Sequence, residues 1–370
     1  MNASRLREIA DLLLKREEEF KIQQLLQDLN SHISTLAGAP QDAGNQTNFA
    51  GALEKLRSAM NGMMSSFPPA QVKLLQEIGA DRFFTTNLPA EISTWVQENP
   101  ITPAVTQQKI GTLTKNRNTY IEDITQLRDK LRKLNIEANS LGEGTAEVGF
   151  LIPRELFHNR FDELIKELGA LNYILRTISE VTTGSVQPID VRQISTSDPQ
   201  FFFGLDPAIV AVLGAVVTWA LMQWKQVEEI RKIRSETKKN SSFTEKEIKD
   251  FFDSKIDKTI KSAVDDKTNE LLGTPPKGTG HAHQKRAELV WALESILARV
   301  ERGMTVEIRF VPPPAKPDDP PDIQEKSKQF AVIAEAVPQL VFPTPDAAPV
   351  LELPPPEPDK GTQRAKDGKA

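Results

Sequence analysis

The stretch GTPPKGTGHAH, residues 273–283, brings glycines, a lysine and two histidines closer together than any other part of the chain. Two chemistries draw on such residues, phosphate binding and metal binding. A phosphate-binding loop needs a lysine directly after its last glycine and a hydroxyl directly after that lysine, because backbone amides, ammonium and hydroxyl must converge on one anion. Lys277 follows Pro276 and precedes Gly278, so that pattern is missing. His281 and His283 are one residue apart, a spacing a metal can use only on a strand or loop, with more ligands from elsewhere. The only other histidines are His32 and His158. The stretch therefore reads as a glycine-rich connector, and no metal ligand, cofactor-binding residue or catalytic residue is assigned.

Other routes to catalysis are equally bare. The chain has no cysteine, which removes thiolate metal sites, thiol nucleophiles and a disulfide framework, and suits a reducing compartment. No GxSxG, HExxH, Rossmann or Walker pattern occurs, and Asp265 and Asp266 stand among helical charges without a partner legible in the sequence. An enzyme assembled from scattered residues stays open as a further alternative, since spacing does not reveal such sites. A net charge of -5 argues against a general nucleic-acid binder, which needs a basic surface. The 39% of hydrophobic residues in 370 supplies core for two or three domains. The N-terminal residues carry acids and lack a long apolar run, so they do not read as a secretory signal, and the cytoplasm is the expected location.

The elements that would position a site are mostly helices. Leu6, Ile9, Leu13 and Phe20 form one stripe, and Ile22, Leu26, Leu29, Ile33 and Leu36 a second, with a slip of phase between Phe20 and Ile22. Residues 37–48 are small, polar and turn-rich and read as a loop. Shorter helical patterns follow at 53–64, 70–78 and 89–97. Then Ile110, Leu113, Arg117, Tyr120, Ile124, Leu127, Leu131 and Leu134 occupy successive a and d positions, a coiled-coil-like seam with one polar intrusion. Such a seam serves two arrangements: an assembly interface between chains, or an antiparallel contact with the first helix inside one chain. Self-association or another protein partner is the expected mode of action.

Residues 141–311 read as an α+β module. VGFLIP ending at Pro153 looks like a buried strand, and an amphipathic helix follows with Phe161, Leu164, Leu168, Leu171, Leu175 and Ile178 on one stripe. A hairpin of strands 189–195 and 201–204 leads into AIVAVLGAVVTWALM, residues 208–222, a helix without a charged residue. Asp206 and Pro207 signal its start, and it is expected to run over 207–236. Three readings apply to it: a buried core helix, a single membrane span, and a helix that is sequestered first and inserts or oligomerises later. Ala211, Gly214, Ala215 and Thr218 give the small-residue spacing of a close helix contact, and Trp219 and Trp224 fit either a core or an interfacial belt. Fifteen apolar residues cover roughly 22 Å, short of the ~30 Å hydrocarbon core.

Two more helical segments, one carrying Ile248, Phe252, Ile256, Ile260 and Val264, precede a strand over 305–311 in which Val306, Ile308 and Phe310 alternate with Glu307 and Arg309. Residues 312–370 hold 14 of the 26 prolines, interrupted by a weak helix at 323–336, and read as a largely disordered tail. The fold expected is mainly α: an N-terminal coiled-coil-like bundle (1–140), a central α+β module with a small sheet and one very apolar helix (141–311), and the proline-rich tail. The function expected is that of a non-enzymatic interaction or scaffold protein. A single-pass membrane-anchored sensor or effector is the alternative; no small-molecule ligand is identifiable and nucleic acid is not an expected partner.

Overall fold

The computed structural model describes residues 3–138, 141–195, 199–240, 244–273, 280–314, 320–342, 344 and 348–355, without the side chains of 238–240, 245, 280 and 281. The chain forms two compact units, Met1–Ser140 and Leu141–Ala370. It is mainly helical, with one small antiparallel sheet.

Unit 1 contains α1 (Ala3–Phe20), α2 (Ile22–Gly38), α3 (Ala43–Ser65), α4 (Pro69–Glu77), α5 (Asp81–Phe84), α6 (Leu88–Glu98) and α7 (Pro103–Lys133). The slip of phase between Phe20 and Ile22 has a backbone cause. Lys21 lies in the left-handed region at φ 53°, which ends α1 and restarts α2 in a new direction. The loop expected over 37–48 is shorter than its composition suggests. Asp42 caps α3 by accepting the N–H of Asn45 at 2.8 Å, so residues 43–48 join a helix.

Contacts along α7 run backwards against α1 and α2. Arg117 meets Glu17, the side chain of Gln23 donates to the carbonyl of Thr114, and Arg7 donates to the carbonyl of Ile136. The α7 seam is therefore an antiparallel contact inside the chain. Ile110, Leu113, Arg117, Ile124 and Leu131 are buried there, Tyr120 and Leu127 are half-buried, and Leu134 falls beyond the end of the helix at 69% exposed. As a surface for assembly between chains, the stripe is already covered by α1 and α2.

Unit 2 contains β1 (Thr145–Leu151), α8 (Arg154–Phe157), α9 (Phe161–Thr183), β2 (Asp190–Ser195), β3 (Gln200–Leu205), α10 (Pro207–Asn240), α11 (Glu245–Leu272), α12 (Gly280–Glu301), β4 (Thr305–Val311) and α13 (Pro321–Ala336). The strands form one sheet in the order β2-β3-β1-β4, antiparallel throughout. Period-two alternation gives it two faces. Ala146, Val148 and Phe150 pair with Phe310, Ile308 and Val306 and turn one apolar face to the core.

The apolar helix α10 is the centre of unit 2. It packs against α9, α11, α12, α13 and the strands β1 and β4. Ile209, Val210, Leu213, Val216, Val217, Ala220 and Leu221 are buried, which is how a helix apolar on all sides is satisfied inside protein. Ala211 and Trp219 are buried as well; Ala215, Thr218 and Trp224 are half-buried. At Gly214 the helix lies close to its neighbours: a Cβ there would stand 3.3 Å from both the Ala336 Cβ of α13 and the Ile308 Cδ1 of β4. The small-residue spacing serves a contact within the chain.

Two expectations shift in detail. Phe161, placed on the inner stripe of α9 by its spacing, is 77% exposed; Tyr173 and Ile174 take up burial further along. Within the stretch expected to be a proline-rich disordered tail, residues 320–342 and 348–355 are packed. Phe330 and Ile333 of α13 belong to the core of unit 2, and Val350, Leu351 and Leu353 pack against it. The core-bearing chain thus reaches beyond Val311. Residues 356–370 lie outside the described residues.

Candidate functional site

The C-terminal residue of α12 is an acid, Glu301, where the carbonyl ends of a helix disfavour negative charge. Its side chain is 1% exposed. An isolated carboxylate would not persist there, and this one is compensated on every side. Arg231 of α10 donates to it at 2.8 Å. The backbone N–H groups of Val350 and Leu351 donate to its two oxygens, each at 2.9 Å.

Those two amides belong to an extended strap, residues 348–355, reading APVLELPP. The strap is held by its main chain from end to end. Arg231 also donates to the carbonyl of Ala348 at 2.7 Å, Arg302 donates to the carbonyl of Leu351 at 2.7 Å, and the Trp291 indole donates to the carbonyl of Pro355 at 2.8 Å. The holding groups are themselves braced. Arg231 pairs with Glu228, Arg302 donates to the carbonyl of Ala298 at 2.8 Å, and Trp291 stands edge-on to Tyr173 with ring centres 5.0 Å apart.

Between α11, α12 and the strap lies a groove of about 950 Å³. Ile256, Ile260, Val290 and Leu297 give it an apolar floor; Asp257, Lys261, His283, Arg286 and Glu294 bring polar and ionisable groups to it. Burial raises the Glu294 carboxyl above the usual range, with Lys261 opposing and Asp265 adding to the shift. Arg286 is engaged by Asn269 at 2.6 Å and Asp265 at 3.0 Å. Residues 350–355 of the strap form one wall of this groove, and of the groups that hold the strap only Trp291 also lines it.

Two other concentrations of buried charge in unit 2 are structural in geometry. Arg299 grips Glu167 with two bonds, 2.8 and 3.2 Å, joining α12 to α9. On the sheet face away from α10, Arg309 bonds Glu307 at 2.9 Å and Glu147 at 3.1 Å and lies 4.3 Å from the ring centre of Phe202. Among the described residues no group of three His, Cys, Asp or Glu side chains is placed to hold a metal. His283 is exposed at the groove; Lys277 and the side chain of His281 lie outside the described residues.

Most site residues singled out by periodicity build the two cores, Leu134 being exposed; Ile256 and Ile260 also floor the groove, while the groups that hold the strap, Arg231, Glu301, Arg302 and Trp291, were not singled out as a site. One signal was available, an acid at the end of α12 flanked by Arg299 and Arg302, which a helix terminus does not favour without a partner. Comparison with protein families, with curated proteins and with solved structures found no match.

Proposed function

We propose that this chain is a non-enzymatic helical interaction protein of the scaffold type, with unit 2 as the part that holds a protein segment. The observation that carries the reading is the seat of the strap: a buried carboxylate, two arginines and an indole spend their hydrogen bonds on main-chain atoms of an extended segment. Main-chain recognition of that kind belongs to peptide binding rather than to bond-making chemistry. The buried pairs Arg299–Glu167, Arg309–Glu147 and Arg117–Glu17 support the same reading, because each ionisable group is committed to a structural partner.

Sedimentation of the full chain without detergent tests it. Species larger than the monomer that grow with concentration, or a stable complex with a co-purifying protein, support the reading. A monomer that transforms a substrate in a broad activity screen overturns it.

A membrane-anchored alternative has its own support: Pro207–Thr237 is, among the described residues, the one helix long and apolar enough to cross a membrane. Against it stands the 67% of its apolar window that is buried inside the unit. Fractionation decides between them, since recovery in the soluble fraction without detergent removes a constitutive anchor.

A further inference from the structure

We propose that the seat of the strap, formed by Arg231, Glu301, Arg302 and Trp291 beside the α11–α12 groove, is a docking site for an extended peptide segment of a partner, and that residues 348–355 are its displaceable occupant in cis. This inference rests on the interaction-protein reading above. The partner segment has a stated chemistry. It offers two consecutive residues with free N–H groups and apolar side chains, one outward-facing position, a further apolar residue, and then prolines in extended conformation.

Three observations carry the step. First, every hydrogen bond holding the strap runs to its backbone, so any extended segment can supply the same donors and acceptors. The requirement for N–H at two successive positions excludes proline there, and the carbonyl accepted by Trp291 comes from the proline run. Secondly, the strap sits on the rim rather than in the core. Val350, Leu351 and Leu353 are half-buried and Glu352 is exposed, whereas Phe330 and Ile333 of α13 are 2% and 0% exposed. Segments with few buried contacts open locally at lower cost than the global unfolding free energy. Thirdly, the receptor half stands without the strap. Arg231 is braced by Glu228, Arg302 by the carbonyl of Ala298 and Trp291 by Tyr173, so emptying the seat leaves its donors in place.

Removing the strap would take two backbone donors from Glu301 and leave it Arg231 and water, so a segment that restores those donors is favoured. A tethered strap acts at an effective concentration of about millimolar, so a partner segment must bind more tightly than the strap or meet a chain in which it has been released.

The experiment uses the full chain and a fluorescent peptide, APVLELPP. In the wild type the amides of Val350 and Leu351 are expected to exchange with deuterium at least about a hundredfold faster than those of Leu293 and Leu297 in α12. Equal protection would make the strap part of the core and overturn the proposal. The variant carrying Leu351→Asp and Leu353→Asp is expected to keep wild-type helicity and to bind the peptide at least about tenfold more tightly than the wild type. Adding Arg302→Ala to that variant should weaken peptide binding about tenfold. A folded strap variant that does not take the peptide overturns the proposal, as does one that cannot fold. Concentration-dependent dimers in which isotope-mixed crosslinks place one copy's strap in the other copy's seat overturn the partner as occupant. Failure of the peptide while sedimentation still finds complexes sinks this site alone and leaves the interaction reading standing.

Discussion

Arg117 of α7 bonds the carboxylate of Glu17, a hundred residues earlier, at the point where α1 gives way to α2. Its guanidinium also donates to the Gln23 side chain and to the carbonyl of Phe83, each at 3.3 Å, and lies 5.0 Å from the ring centre of Phe84. One fully buried cation thus ties both sides of the Lys21 joint to the helix that runs antiparallel to them. Arg117→Met should cost about 3 kcal/mol or more, because Glu17 keeps its charge in a largely buried place without its partner. Urea unfolding of the full chain reads this, and Arg117→Met combined with Glu17→Gln should recover part of the loss. Arg117→Lys should not rescue, since an ammonium cannot span the same set of acceptors.

Lys21 itself offers a second test. At φ 53° a side chain costs about 1 kcal/mol, so Lys21→Gly should leave stability unchanged or raise it by up to about that amount. Lys21→Pro should lose about 3 kcal/mol or more, since proline cannot adopt that φ and removes the N–H that donates to the Glu17 carbonyl at 2.8 Å. Thermal melts of the two variants, compared side by side, check the sign.

At Gly214 the neighbours decide. Alanine gains about 1 kcal/mol of helix propensity but meets Ala336 and Ile308 at 3.3 Å, so Gly214→Ala should come out near neutral. Gly214→Leu should lose about 1–3 kcal/mol by driving α13 and β4 away from α10. A shift of the melting temperature with the second variant only is the expected result.

Charging the centre of α10 separates the two readings of that helix. Val216 is 0% exposed inside unit 2, and Val216→Lys should cost more than about 4 kcal/mol, leaving unit 2 unfolded in solution. If the near-ultraviolet circular dichroism of the variant matches the wild type in detergent-free buffer, the helix is not a core element.

Glu294 gives a pH dependence. Its folded carboxyl is raised above the ordinary 4.5 by burial, so the folded state binds the proton more tightly than the unfolded one. Stability contributed by that proton is present below 4.5 and is lost as pH rises through the folded-state value. Glu294→Gln should therefore gain in melting temperature relative to wild type as pH rises from mildly acidic to neutral. A constant offset across that range would exclude the effect.

Much of the scaffold was legible, and the reason is periodicity. The slip between Phe20 and Ile22 marked the joint, the alternation at Val306, Ile308 and Phe310 marked β4, and the uncharged run at 208–222 marked the central helix. The partner of the α7 stripe was not legible, because a and d positions look the same whether the facing helix comes from the same chain or another. The seat of the strap was hidden for a different reason. Its ligand-holding bonds end on backbone N–H and C=O groups, which every segment carries, and the proline content of residues 348–355 resembles that of chains without structure. The cap that lengthened α3, Asp42, sat in view within a polar stretch whose composition pointed to a loop.

The packing of α13 and the strap against α10 also sets an order of events during synthesis. When α7 leaves the ribosome, α1 and α2 already exist, so the first unit can close while the rest of the chain is being made. The second unit cannot: α10 emerges long before α13, which packs against it, and before the strap, whose Ala348 carbonyl its Arg231 holds. In that interval the flank of α10 around Gly214 is bare and adhesive. A nascent chain, or one cut by a protease ahead of residue 320, would carry that uncovered flank into solution, and such a species should be the one that chaperones retain and that precipitates first.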